Sequence, residues 1–366
     1  MRDLDLERPV RDVDLVVEGD GIAFARELSA RLEGAVREHG RFGTATLTLA
    51  NGENLDVAST RHETYAHPGA LPAVTTGASI AKDLARRDFT INAMALGLWP
   101  QRFRIDPFGG QEDLSRGVVR ALHARSFVDD PTRGFRAVRY ANRLGFRIPP
   151  GTRREIAAAP ALRALGRVSG DRLRREIRLI FEEPRRGRAT AQLIALGLAG
   201  AVDAALPSGR EAAARVARAE ALAPGIAGAT TWLCYLLAWM WRADEAQVEG
   251  VADRLALVGA EGRILRRWPE TARRLSAADA ASDMTPDEVV AAAAALSAAR
   301  RRALLERVAA RGVRLGIRGA DLLAAGVAAG PAVGAALART LAARREGRIA
   351  EKDELAFALA AAKELR

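Results

Sequence analysis

Asp12 and Asp14 stand two residues apart in VRDVDLVVEGD (10–20), directly before a run of small apolar residues. On a strand, positions i and i+2 point to the same side, so the two carboxylates face one point in space. Like charges held that close repel, and a cation is the usual remedy. A solvated pair at a strand edge carries the same pattern. A third carboxylate, Asp56, sits among apolar neighbours in NLDVAST (54–60). If its strand lies beside the one bearing Asp12 and Asp14, three oxygen ligands that keep waters and accept phosphate oxygens describe a Mg²⁺ site for phosphoryl transfer. Farther along, DLARRDFTINAMA (83–95) crowds Arg86, Arg87 and Asp88 together, with Asn92 four residues on. Paired arginines can hold a triphosphate, and an asparagine can reach a sugar hydroxyl or the last phosphate. A surface charge cluster is the plainer alternative, but these charges interrupt an otherwise apolar segment.

The elements that must position these residues change character along the chain. VDLVVEG reads as a strand, GIAFARELSARL (21–32) as an amphipathic helix, and TATLTLANGENLDVAST (44–60) as a hairpin turning at Asn51-Gly52. SIAKDLARRDFTINAMALGLW (79–99) reads as a helix interrupted near Asp-Phe-Thr. From about residue 111 strand signals vanish, and helix follows helix between breaks at Pro149-Pro150, Pro184, Pro207 and Pro224-Gly225. The stretch FVDDPTRGFRAVRYANRLGF (127–146) predicts a strong amphipathic helix, with Asp130 as N-cap and Pro131 as its first residue. Arg136, Arg139 and Arg143 continue along it, which suits an anionic partner or a solvated, salt-bridged face. The Ala-rich 289–313 stretch keeps a helical period in Leu and Val, so packed helices are expected there. The fold class is therefore an α/β head, a small mixed sheet with helices, followed by a long all-α region.

Composition bears on partners. Among 366 residues, 56 Lys+Arg exceed 45 Asp+Glu and give a net charge of +11. That surplus suits a polyanion such as nucleic acid, because arginine forks match phosphate geometry. One cysteine, Cys234, excludes a disulfide framework and any cysteine-based metal site. The greasiest run, WLCYLLAWMW (232–241), is half the roughly 20 residues of a membrane span and is expected to be a buried helix. The charged start MRDLDLERPV has no apolar signal region, so a cytosolic protein is expected, with no membrane and no protein partner implied.

Taken in order, VRDVDLVVEGD, FGTATL…LDVASTRHETYAHPGALP, DLARRDFTINAMA, DPFGGQEDL and DDPTRGFRAVRYANRLGF resemble the class II tRNA nucleotidyltransferase (CCA-adding) and bacterial poly(A) polymerase family. These motifs lie within residues 1–146. VSGDRLRREIRLIFE (168–182) is similar to the family's RNA-binding helical segment, and 317–349 to the tail of the tRNA enzymes. The resemblance implies a nucleotidyltransferase head at 1–122, a helical neck at 123–185, a body at 186–290 and a tRNA-binding tail at 291–366. It implies that Asp12 and Asp14 bind metal, with Asp56 completing the catalytic acids. It places Arg2, Asp3, Arg86, Arg87, Asp88, Asn92 and Arg136 around the incoming nucleotide. Asp129, Asp130 and Arg133 fall on the motif that reads the base without a template: a carboxylate accepts from the exocyclic amine of C or A, and the arginine donates to the ring acceptor beside it. Arg139, Arg143, Arg172, Arg174 and Arg175 would meet RNA. The loop YAHPGAL (65–71) matches one linked in the family to switching from C to A. Two positions depart from the family: the G-G-x-V that precedes Arg2-Asp3 is absent, which suggests a truncated start, and Asp129 replaces the usual glutamate. The implied activity is addition of C and A from CTP and ATP to the tRNA 3′ end, with Mg²⁺ and release of pyrophosphate. Addition of CC alone or A alone, poly(A) synthesis, and RNA binding with weak catalysis are the alternatives.

Overall fold

The structure, a computed structural model, describes residues 1–10, 13–40, 43–99, 101–229, 232–275 and 283–364. In chain order the elements are α1 (Arg2–Asp5), β1 (Val13–Val17), α2 (Gly21–Leu32), β2 (Ala35–His39), β3 (Thr44–Thr48), β4 (Asn54–Ser59), β5 (Arg61–Thr64), β6 (Ala73–Thr76), α3 (Ile80–Ala85), β7 (Ala95–Gly97), β8 (Phe103–Ile105), α4 (Gly110–Ser115), α5 (Ser126–Asp129), α6 (Arg133–Leu144), α7 (Pro150–Ala157), α8 (Ala159–Leu165), α9 (Gly170–Glu182), α10 (Arg186–Ala195) and α11 (Leu198–Val202). Then come α12 (Arg210–Leu222), α13 (Leu233–Trp239), α14 (Glu245–Arg254), α15 (Gly259–Arg274), α16 (Pro286–Ala295), α17 (Ala298–Arg311), α18 (Gly319–Ala324), α19 (Pro331–Arg345) and α20 (Glu354–Glu364). The architecture is the expected one, a mixed sheet with helices and then helices alone.

The chain forms two compact units, residues 1–217 with 243–266, and residues 218–242 with 267–366. In the first, the main sheet has the order β1-β4-β3-β2. β1 and β4 run parallel, while β4–β3 and β3–β2 are antiparallel. The strand period sorts the residues by face. Leu15, Val17, Ala45 and Val57 lie with Ile22 and Ala25 of α2 in one apolar layer. Asp14, Thr46 and Asp56 alternate with them and take the opposite face. The hairpin is the one the sequence predicts, with Gly52 at φ +83° in its turn.

Close backbone approach fixes where α2 begins. Asp20 caps it, its carboxylate accepting from Ile22 N and Ala23 N at 2.9 and 3.0 Å. Gly21 follows because a Cβ there would stand 2.6 Å from Ser59 N and 2.7 Å from Ala58 C, both backbone atoms. Gly21→Ala is therefore expected to destabilise the fold by ~1–3 kcal/mol through overpacking, read as a lower urea midpoint with an unchanged slope.

Three local expectations change. Ala35–His39, Arg61–Thr64, Ala73–Thr76, Ala95–Gly97 and Phe103–Ile105 are strands that the periodicity did not reveal; each is five residues or fewer, too short to display a period. Residues 79–99 do not form one helix. α3 stops at Ala85, a single 3₁₀ turn covers Thr90–Asn92, and β7 follows. Here tertiary burial wins over helical spacing, since Phe89 and Ile91, two apart, are both fully buried. Finally, α6 starts at Arg133 with Thr132 as its N-cap. Asp130 instead ends α5 and folds over its own turn, its Oδ1 accepting from Thr132 N (3.1 Å) and Thr132 Oγ1 (2.6 Å).

In the second unit α13 is buried along its whole length, Cys234 included. It packs on α16, whose Val289–Ala294 are all buried. Small side chains let these helices approach closely, so the Ala-rich 289–294 run is core. Glu288 and Glu354 are buried there with partners. Glu288 pairs with Arg267 and accepts from Thr285 N at 2.7 Å; Glu354 pairs with Arg344 at 2.6 Å and accepts from Gly316 N at 2.8 Å. Among the described residues no helix is long and apolar enough to cross a membrane.

Candidate active site

The parallel pairing of β1 and β4 puts Asp14 directly opposite Asp56, with Thr46 next across the sheet. Both carboxylates are exposed on the face away from α2. Asp56 Oδ1 accepts from Thr46 Oγ1 at 2.8 Å. No hydrogen bond or ion pair among the described residues engages Asp14. Two adjacent carboxylates with free oxygens, and no neutralising arginine among the described residues, suit a hard divalent cation bound through oxygen. Asp12, the third expected acid, lies outside the described residues. Among the described residues no group of three His, Cys, Asp or Glu side chains is placed to hold a metal ion.

A second centre is built on the turn after α3. Asp88 is 7% exposed. Its Oδ1 accepts from Phe89 N and Asn92 Nδ2, each at 2.9 Å, and its Oδ2 from Arg136 Nε of α6 at 2.7 Å. Burial acts to raise the Asp88 pKa; the charge of Arg136 and the Asn92 and Arg136 hydrogen bonds outweigh it and hold the carboxyl below its ordinary range. Asn92 Oδ1 in turn accepts from Arg2 Nη1 at 2.7 Å, while Arg2 forks onto Asp3 at 2.8 and 3.0 Å. Arg2, Asp3, Asp88, Asn92 and Arg136 thus form one network, drawn from α1, the 3₁₀ turn and α6.

Tyr140 completes it, and the sequence reading passed over this residue. The guanidinium carbons of Arg2, Arg136 and Arg143 lie 5.0, 5.6 and 6.0 Å from its ring centroid, and Phe89 meets it edge-on at 5.8 Å. An aromatic face holds cations at such distances. Its place one turn after Arg136 was the available signal.

Arg86 and Arg87 are tied to acids. Arg86 reaches Glu63 Oε1 and Asp83 Oδ1, both at 2.8 Å, and Arg87 reaches Asp83 Oδ2 at 3.1 Å. Asp83 is 1% exposed, and these arginines more than offset the upward push of burial on its pKa. Arg133, 6% exposed, donates to Arg86 O at 2.7 Å, Ser126 Oγ at 2.8 Å and Tyr65 Oη at 3.4 Å. Burial pushes the Tyr65 phenol up to about 12, so it stays a neutral donor, here to Glu63 Oε2 at 3.2 Å.

Arg139 and Arg143 also lie at the Tyr140 ring, at 5.6 and 6.0 Å, while Asp129, Arg174 and Arg175 have separate surroundings. Asp129 accepts from Arg125 at 3.1 Å. Arg139 is 9% exposed, with Nε lacking a hydrogen-bond partner. Arg143 pairs with Glu183. Arg174 donates to Leu255 O at 3.2 Å and Asp171 at 2.6 Å, and Arg175 is exposed. Glu176 was also missed; burial pushes its carboxyl up, against the pull of Arg139 and Arg136. Among the described residues no hydrogen bond or ion pair joins Asp14 or Asp56 to the arginine network.

Acids on an open sheet face and a buried arginine–carboxylate network thus share one compact unit. Residues 1–120 match the model of the poly A polymerase head domain. The chain is 44% identical over 187 residues to an A-adding tRNA nucleotidyltransferase of Halalkalibacterium halodurans, covering 50% of this chain and 44% of that one. It is 35% identical over 209 residues to a CC-adding tRNA nucleotidyltransferase of Deinococcus radiodurans, covering 57% and 54%. A Thermotoga maritima CCA-adding enzyme complexed with tRNA is 28% identical, with a TM-score of 0.78 over 100% of this chain and 89% of that one. Residues 1–120 are thus similar to the poly A polymerase head domain, and the chain as a whole is similar in fold to CCA-adding enzymes. It spans about half the length of the curated relatives it matches.

Proposed function

We propose that this protein adds C and A residues, without a nucleic-acid template, to the 3′ end of tRNA from CTP and ATP and releases pyrophosphate. The observation that carries the reading is the Asp14–Asp56 register, which sets two exposed carboxylates side by side on an open sheet face. Asp14 and Asp56, with Asp12, would hold Mg²⁺. When bound, such an ion lowers the pKa of a hydroxyl and offsets charge on phosphate oxygens. The buried network of Arg2, Asp88, Asn92 and Arg136 would orient the nucleotide, and Asp130 with Arg133 would face its base edge. The net charge of +11 suits tRNA as the polyanionic partner.

A narrower activity, addition of the terminal A alone, is supported by the 44% identity to the A-adding relative against 35% for the CC-adding one. Incubation with labelled CTP or ATP and tRNAs ending before CCA, at C, or at CC separates the readings. Extension of all three to CCA is the expected result. Labelling of the CC-ended tRNA by ATP alone marks the A-adding enzyme. Long A tracts on any RNA end mark a poly(A) polymerase. No incorporation with any of the three tRNAs overturns the proposal.

A further inference from the structure

The segment 65–71 is pinned to the turn that carries Asp129 and Asp130. His67–Ala70 closes a turn through Ala70 N donating to His67 O at 3.0 Å, with Pro68 then Gly69 at its centre. Gly69 has φ +79°, the pattern of a type II turn. A side chain there would be strained, and its Cβ would stand 2.9 Å from Ala164 O. The Gly69 peptide is held from both sides. Its N–H donates to Asp129 O at 3.2 Å, and its carbonyl accepts from Arg172 Nη1 of α9 at 3.0 Å. The other arm of the same guanidinium, Nη2, donates to Asp130 Oδ1 at 3.1 Å.

One fork therefore joins a loop carbonyl to a carboxylate 61 residues farther along the chain, from a helix 42 residues beyond that carboxylate. All three donors to Asp130, Thr132 N, Thr132 Oγ1 and Arg172 Nη2, meet Oδ1. Among the described residues Oδ2 takes none, so it is left to accept from something else. Anchoring one oxygen fixes the direction of the other.

We propose that Arg172 is a positioning residue rather than an RNA contact: it latches the 65–71 loop to Asp130, so that loop and carboxylate present one rigid edge to the incoming nucleotide. The inference rests on the nucleotide-adding reading above for what that edge faces; the latch itself is a property of the loop. The geometry needs a planar fork, because a single ammonium cannot supply two donors in fixed directions about one carbon. A phosphate contact, by contrast, survives replacement by lysine as a point charge.

Arg172→Lys and Arg172→Ala are compared with wild type in two measurements. Hydrogen exchange of the Gly69 and Ala70 amides, in the full chain without substrates, reads the latch whether or not the protein transfers nucleotides. Both variants are expected to exchange faster by about tenfold, the loss of one charge-assisted bond. Steady-state addition then reads the nucleotide edge. KM for CTP or ATP is expected to rise by about tenfold in both variants, with tRNA affinity held within about twofold. Exchange that is unchanged overturns the latch, with or without activity. Faster exchange at an unchanged nucleotide KM overturns the role of the latch in nucleotide positioning. Weaker tRNA binding in Arg172→Ala, restored by Arg172→Lys, assigns the residue to phosphate instead.

Discussion

Asp14→Asn is expected to leave the protein folded and to abolish nucleotide addition with every tRNA. The side chain is exposed and engages no hydrogen bond or ion pair among the described residues, so nothing in the packing depends on its charge. Asparagine keeps its shape and removes one of the two adjacent negative charges that suit a divalent cation. A metal ion contributes several kcal/mol of charge stabilisation to phosphoryl transfer. At about 1.4 kcal/mol per factor of ten, ~4 kcal/mol is a loss of about 10³-fold or more. Asp56→Asn is expected to behave alike, with a small additional change at Thr46. Two measurements check this: labelled CTP or ATP incorporation in Mg²⁺, and Mn²⁺ binding followed by electron paramagnetic resonance. Near wild-type turnover in a folded Asp14→Asn protein would remove Asp14 from the site.

Asp88→Ala is expected to damage both stability and activity. Asp88 is the acceptor for Arg136, Asn92 and Phe89 N, and truncating it leaves those donors half-buried without their partner. Removing one member of a buried ion pair costs ~3–5 kcal/mol. The pH dependence gives an independent signature. The native pKa of Asp88 lies below its unfolded value of about 3.9, so its contribution is full above that value and is lost as the pH falls through the native pKa. Wild type should therefore lose more stability than Asp88→Ala between pH 5 and acid conditions, and the two urea midpoints should converge there. Equal acid sensitivity of the two proteins would show that the pair contributes nothing to folding. Arg136→Ala, measured beside it, leaves the carboxylate buried and unpaired, and should cost a comparable amount.

How much of this was written in the sequence depended on the range of the interaction. The D-x-D spacing and the alternation of VDLVV are local, and so is the Asn-Gly signal of the hairpin. Strand β1, the β3–β4 hairpin and the common face of Asp14 and Asp56 follow from two-residue periodicity once the strands are paired. The Ala-rich helices and the buried 232–240 run were legible for the same reason, since helical spacing is set by nearest neighbours.

The partners of the arginines were decided only by the tertiary structure. Arg133 meets Arg86 O across 47 residues, Arg136 meets Asp88 across 48, and Arg172 meets Gly69 across 103. Nothing in the spacing of these residues distinguishes an arginine that awaits a phosphate from one that holds a carbonyl. The start of α6 was misplaced for a related reason: Asp130-Pro131 satisfies the local rule for a helix start, but the Asp130 side chain turns onto Thr132 and Arg172, which moves the first helical residue to Arg133. The sequence by itself determined which residues carry charge and which face of a strand or helix they share, because those follow from chain geometry a few residues long. The tertiary structure alone decided which charges are spent on one another, because a guanidinium chooses its acceptor by proximity after folding, and proximity between distant segments has no local signature.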